Sequence, residues 1–140
     1  MRPRQINKYC YVPAVQSGSH VHTSGRLPLV DGKLPLAGKV GADVAPDDAQ
    51  DLARICVLTA LAAVKALVGD LGRVHRVVKV IGYGASAPEF TGRPGVVNGA
   101  SELLAAVLGD QGPHARSAVG VAALPLDAPV EVGIHCELSH

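Results

Sequence analysis

The last segment of the chain alternates without a break. Val130, Val132, Ile134 and Cys136 are separated by Glu131, Gly133, His135 and Glu137. In an extended backbone successive side chains point to opposite faces, so this segment is a strand with one apolar and one polar face. Such a strand needs cover on one side only, and the chain supplies it. Residues 46–67 carry Ala49, Leu52, Ala53, Cys56, Ala60, Ala63, Val64 and Leu67 at helical spacing, with Gln50, Asp51, Arg54 and Lys65 on the other side. Pro46 suits a first helical position, Asp47 and Asp48 sit at the positive end of the dipole, and Gly69 and Gly72 close the helix.

The remaining segments follow the same logic. Residues 12–24 read as extended, with Ser17-Gly18 as a hairpin turn. A loop rich in Gly and Pro follows at 25–35, with Asp31-Gly32 as a turn inside it. Residues 74–83 are a β-branched run and predict a central strand. Residues 96–108 predict a second helix, stopped by Gly109 and Gly112-Pro113, and strands are expected at 116–122 and 130–137. The order predicts an α+β fold, a mixed sheet with two helices on one face. Arg116 and Glu131 are expected on neighbouring strands.

The chain has 140 residues, which predicts one domain over 1–140 that buries roughly 70% of its unfolded surface. Aromatics make up only 3%, so the core is built from Val, Leu, Ala and Ile. The sheet face without helices also carries Val and Ala, which favours burial against other copies.

Charge narrows the function classes. The formal net charge is +1, and Arg2, Arg4 and Lys8 are separated by uncharged residues. No basic patch for nucleic acid or a membrane surface is expected. No apolar run approaches the ~20 residues of a membrane helix, and no signal-peptide core opens the chain; the expected location is cytoplasmic. Cys10, Cys56 and Cys136 are odd in number and widely spaced, which predicts small buried or half-buried thiols rather than disulfides or zinc. Gly82-Tyr83-Gly84-Ala85-Ser86-Ala87 loosely fits a dinucleotide fingerprint, but Pro88 stands where the phosphate-binding helix should begin. The glycines read as a strand exit, and no cofactor is expected.

Three groups of residues carry candidate chemistry. Arg116 opens a small apolar strand, and an inward guanidinium needs an anion, which a ligand carboxylate can supply. Glu131, on the polar face of the last strand, can position water if burial raises its pKa. His20 and His22 share one strand face and would bind metal only if His75, His114 or His135 converged on them; no metal is expected, and polar strand residues at a subunit contact are the alternative. Ser24 lacks the Gly-x-Ser-x-Gly surroundings of a nucleophile and reads as a hydrogen-bonding turn residue.

These segments together resemble one family. His22-Thr23-Ser24-Gly25-Arg26-Leu27-Pro28 is similar to the early strand-and-turn motif of the YjgF/Rid proteins (reactive intermediate deaminases, RidA-like). Val97-Asn98-Gly99 resembles their second-helix motif. Ala115-Arg116-Ser117 through Ala122-Ala123-Leu124-Pro125, followed by Val130-Glu131-Val132, resembles their most specific signature. The likeness runs from about Tyr11 to about Glu137. It implies a chorismate-mutase-like α+β subunit, a homotrimer with clefts between subunits, and hydrolysis of reactive enamines and imines to 2-oxo acids with release of ammonia. By motif match it implies that Arg116 clamps the substrate carboxylate and Glu131 activates water. Ser24, Gly25 and Asn98 would line the pocket, Ala118 would offer its backbone, and Tyr11 would close the site from the adjoining subunit. Ala118 stands where the family often has Cys, and the segments 38–41 and 86–97 look longer, so the chain reads as a divergent branch. The rival readings are a non-catalytic trimer that binds small carboxylates or partners, and an endoribonuclease or translation inhibitor.

Overall fold

The alternating segment becomes β5 (Val130–Leu138), buried at every second residue. It lies in the middle of a five-stranded sheet ordered β1-β2-β5-β3-β4. The structure, a computed structural model, describes residues 10–139. Arg2, Arg4 and Lys8 lie outside these residues.

β1 (Ala14–Ser17) and β2 (His20–Thr23) form a hairpin closed by Ser17 and His20. The turn is therefore centred on Gly18-Ser19, one residue beyond the expected pair, because Gly18 is the residue with positive φ, 60°. Asp31 and Gly32 take φ of 52° and 77° between bridged Val30 and Lys33, the tight turn their types favour. α1 (Pro46–Val68) has Pro at its start, two aspartates in its first turn and Gly69 at its end. β3 (Val74–Ala85), α2 (Arg93–Leu108) and β4 (Ala115–Val121) form the parallel unit, since two parallel strands need a crossover and α2 provides it. The other strand pairs are antiparallel, which makes the sheet mixed as expected.

Two further expectations change. β3 continues through Gly82 and Gly84 instead of ending there; a Cβ at Gly82 would lie 2.5 Å from Val97 Cγ2, so the missing side chain admits α2 rather than marking an exit. The crossover also places β3 between β4 and β5, so Arg116 and Glu131 are not on neighbouring strands.

Both helices cover one face. Val21, Val77, Val80, Val130, Val132 and Cys136 point into the layer beneath them and are fully buried. α2 meets α1 closely at Gly99, where a Cβ would sit 2.1 Å from the Gln50 carbonyl oxygen. Across the same contact Gln50 Nε2 donates to Gly95 O at 2.9 Å. Cys56 and Cys136 are buried and unbridged, whereas Cys10 is exposed, which departs from the buried or half-buried thiol expected there. Burial pushes the Cys136 thiol up to about 11 and, with the nearby Glu131 charge, raises Cys56 further. The opposite face carries the polar residues of β5 together with Val15 and Val119, which are 49% and 43% exposed. No helix among the described residues is long and apolar enough to cross a membrane.

Candidate functional site

Arg116 sits on β4, an edge strand, opposite Val80 of β3. Val80 is fully buried beneath the helices, so Arg116 points to the same side and lies along α2. Its Nη1 donates to Asn98 Oδ1 at 2.7 Å and to Ser101 Oγ at 3.3 Å. Its Nη2 donates to Pro94 O at 3.4 Å. All three acceptors are neutral, and among the described residues no acidic side chain pairs with this half-buried guanidinium. Asn98 and Ser101 are three residues apart and share one helix face.

Behind Ser101 stands His114. Its Nδ1 is 2.6 Å from Gly112 O and its Nε2 is 2.9 Å from Ser101 Oγ. A carbonyl only accepts, so Nδ1 carries the hydrogen and Nε2 accepts from the Ser101 hydroxyl. That leaves the Ser101 oxygen free to accept from Arg116. Ala118, two residues on, faces the same side and packs against the core. Ser101 and Pro94 were not expected at this site, and His114 was considered only as a metal ligand.

Glu131 pairs with Tyr83 across β3 and β5. Tyr83 is three residues beyond Val80, an odd step along the strand, so Glu131 lies on the opposite sheet face from Arg116. There it lines a hollow of about 340 Å³ with His22, Gly25, Lys79, Tyr83 and His135. Burial raises its carboxyl pKa above the usual range. Gly25 leaves room for it, because a Cβ there would lie 2.1 Å from Glu131 Oε2. Lys79 and Tyr83 were missed from sequence; their odd positions in β3 are the signal that could have found them.

Ser24 holds the turn. Its Oγ donates to Val12 O at 2.6 Å and its backbone N–H to Pro13 O at 2.8 Å. Tyr11, 48% exposed, immediately precedes that segment. The expected site residues therefore fall into three groups: Arg116 with Asn98 and Ala118, Glu131 with Gly25, and Ser24 bonded to the Val12-Pro13 segment that follows Tyr11.

His135 is the third imidazole beside His20 and His22. Its ring stacks on His22 with centroids 4.0 Å apart and planes 17° apart. His20 Nδ1 lies 2.8 Å from His135 Nε2, a hydrogen bond. Two nitrogens on one tetrahedral zinc at 2.0–2.1 Å would stand about 3.3 Å apart. Among the described residues no group of three or more His, Cys, Asp or Glu side chains is arranged to hold a metal.

Residues 6–138 match the family model described as "YjgF/chorismate_mutase-like, putative endoribonuclease". The chain is 44% identical over 131 residues to Protein TCP17 of Trypanosoma cruzi, covering 93% of this chain and 82% of that one. It superimposes with a TM-score of 0.89 on the crystal structure of Atu1372, a protein of unknown function from Agrobacterium tumefaciens, at 48% identity, covering 91% of this chain and 82% of the other. A crystal structure named a "putative endoribonuclease" from Shewanella oneidensis MR-1 matches with the same TM-score of 0.89 at 30% identity, covering 91% of this chain and 85% of that one.

Proposed function

Because the chain belongs to the YjgF/chorismate mutase-like family, we propose that it hydrolyses small reactive enamines and imines of 2-oxo acids in clefts between copies of itself. The observation that carries this reading is the Arg116 guanidinium, held by neutral acceptors and without an acidic partner among the described residues. It is oriented and left uncompensated, as a carboxylate clamp must be. Glu131, with its pKa raised by burial, is the matching acid–base group.

The chemistry is short. The substrate carboxylate pairs with Arg116. Water adds to the imine carbon; Glu131 takes a proton from that water and returns it to nitrogen. In the resulting carbinolamine Glu131 moves the hydroxyl proton to the amine as the C–N bond breaks, so ammonia leaves, the carbonyl forms and the 2-oxo acid remains. Bound water beside a positioned base suffices, since imines hydrolyse readily and the enzyme contributes mainly orientation.

Arg116 and Glu131 lie on opposite faces of one sheet, so the reading requires a site shared between subunits. The β4 edge of one copy, with Asn98 and Ala118, meets the open face of the next, with Glu131 and Gly25. Exposed Val15 and Val119 on that face favour cover by another copy. A closed ring of three with head-to-tail contacts satisfies this arrangement.

The test follows 2-oxo acid release from freshly generated 2-aminoacrylate. Arg116→Ala and Glu131→Gln should each be inactive. Mixed and reassembled, they should regain about a quarter of wild-type activity, because random pairing leaves that share of sites with both groups intact. Activity in either single variant, or none after mixing, overturns the shared site. A wild type no faster than buffer leaves only carboxylate binding without catalysis.

A second reading, RNA cleavage, has its own observation. His22, Lys79, Tyr83, Glu131 and His135 line one hollow, a set able to move protons and stabilise a phosphate. The family and the Shewanella protein are both described as endoribonucleases, which supports RNA as a partner despite the near-neutral charge. It requires that the open face stay accessible, which the shared-site reading forbids. Loss of single-stranded RNA cleavage in His135→Ala, with a monomeric protein, would favour it.

A further inference from the structure

Gly84 of β3 and Gly120 of β4 lie side by side in the parallel ladder, and one arginine fills the space over both. A Cβ at Gly84 would be 3.8 Å from Arg93 Cγ, and one at Gly120 would be 2.0 Å from Arg93 Nε and 2.2 Å from its Cζ. Arg93 opens α2, and its side chain crosses β3 to lay its guanidinium against the edge strand. Its Nε donates to Ser86 Oγ at 2.8 Å, and Ser86 is itself buried. The two terminal nitrogens have no hydrogen bond or ion pair among the described residues.

Gly120 is four residues beyond Arg116, so both positions share one strand face, about 13 Å apart along the backbone. Ala118 lies between them. Two guanidiniums thus bracket one methyl group on the β4 edge, and neither is ion-paired with an acidic side chain among the described residues. Like charges gathered on one face repel each other, and an anion placed between them relieves the repulsion.

We infer that this edge takes a small 2-oxo or 2-imino acid with a second anionic group at its far end. The inference rests on the proposed role of Arg116, which holds the carboxylate beside the reacting carbon; Arg93 holds the distal group. Ser86 occupies Nε, so Arg93 presents the Nη1/Nη2 pair, whose planar fork matches a carboxylate or a phosphonate. Gly120 is the permissive position, since any side chain there displaces the guanidinium. Arg93 thereby sets specificity and takes no part in the proton transfers.

Calorimetric titration tests this with three probes of equal chain length: 2-oxopentanoate, 2-oxoglutarate and 2-oxo-4-phosphonobutanoate. For the wild type, 2-oxoglutarate or the phosphonate should bind at least about tenfold tighter than 2-oxopentanoate, the size of one charge-assisted hydrogen bond. Whichever is tighter identifies the distal group. In Arg93→Met that ratio should fall towards one. Gly120→Ala should do the same with Arg93 still present, because a flexible arginine moves aside more readily than the strand. Equal binding of all three probes to the wild type, or a ratio that survives both variants, overturns the inference while leaving Arg116 in place. Failure of every probe to bind the wild type removes the Arg116 reading itself, and this proposal with it.

Discussion

A Cβ on Gly25 would lie 2.1 Å from Oε2 of Glu131. The carboxylate stands where any other residue at 25 would put its side chain, so the loop after β2 fixes the place of the acid. Gly25→Ala should push the carboxylate aside while the fold persists, because the group displaced is the mobile end of a side chain. The expected loss in imine hydrolysis is about 10²- to 10⁴-fold, the share of a positioned general base, with an unchanged circular dichroism spectrum. A variant as fast as wild type would show that the position of Glu131 does not matter.

Glu131→Gln should stabilise the protein while abolishing activity. Burial raises the folded-state carboxyl pKa above the usual 4.5, so the folded protein holds this proton more tightly than the unfolded chain. The stability gained from that proton is complete below 4.5 and is lost as pH rises through the folded-state value. Glutamine imitates the protonated form and escapes the loss. Thermal melts should therefore coincide in acid and diverge towards neutrality, the variant melting about 1–4 °C higher there. Half-exposure keeps the difference small. A neutral-pH melt below wild type would rule out desolvation as the main influence on this carboxyl.

The two helices and the strands were legible in sequence because their periods are local: alternation from Val130 to Cys136 and helical spacing from Ala49 to Leu67 need no knowledge of neighbours. Strand order was not. Arg116 and Glu131 are fifteen positions apart in the numbering, and only the β3–α2–β4 crossover decides that β3 separates them and that they face opposite ways. The acceptors of Arg116 were half legible. Asn98 belonged to a recognisable motif, whereas Ser101 became a partner only when α2 was laid on β4. Arg93 over Gly84 and Gly120 joins three distant segments and left no local trace. Gly82 and Gly84 were visible, yet their bareness reflects what α2 places above them.

The carboxylate clamp depends on a fork and on the groups that hold it. Arg116→Lys keeps the charge but presents one ammonium in place of the planar donors. Binding of a 2-oxo acid should weaken about tenfold or more, by the loss of a charge-assisted hydrogen bond. Ser101→Ala removes an acceptor from Arg116 and a donor from His114, and should weaken binding about two- to tenfold, as for one neutral hydrogen bond. Calorimetry on both variants measures this. Wild-type affinity in Arg116→Lys and Arg116→Ala alike would reject the clamp.

The histidines give the open face an acid sensitivity of defined sign. The pKa of His135 is lowered, first by burial and then by the charges of His22 and His20, against an opposing pull from Glu137. Lys79 is its strand partner on β3 and adds a further cation beside it. A depressed histidine pKa means that the unfolded chain binds the proton first as pH falls. The stability contribution is therefore complete above the usual 6.5 and declines as pH drops through the lower folded-state value. Melting temperature should fall on acidification below 6.5, and less steeply in His135→Asn. If this face is the contact between copies, the same protonation sets positive charges against one another across the ring. Sedimentation should then show the assembly dissociating over the same pH interval, with the asparagine variant holding together to lower pH. Parallel melting curves for wild type and His135→Asn would remove His135 as the source of the acid sensitivity.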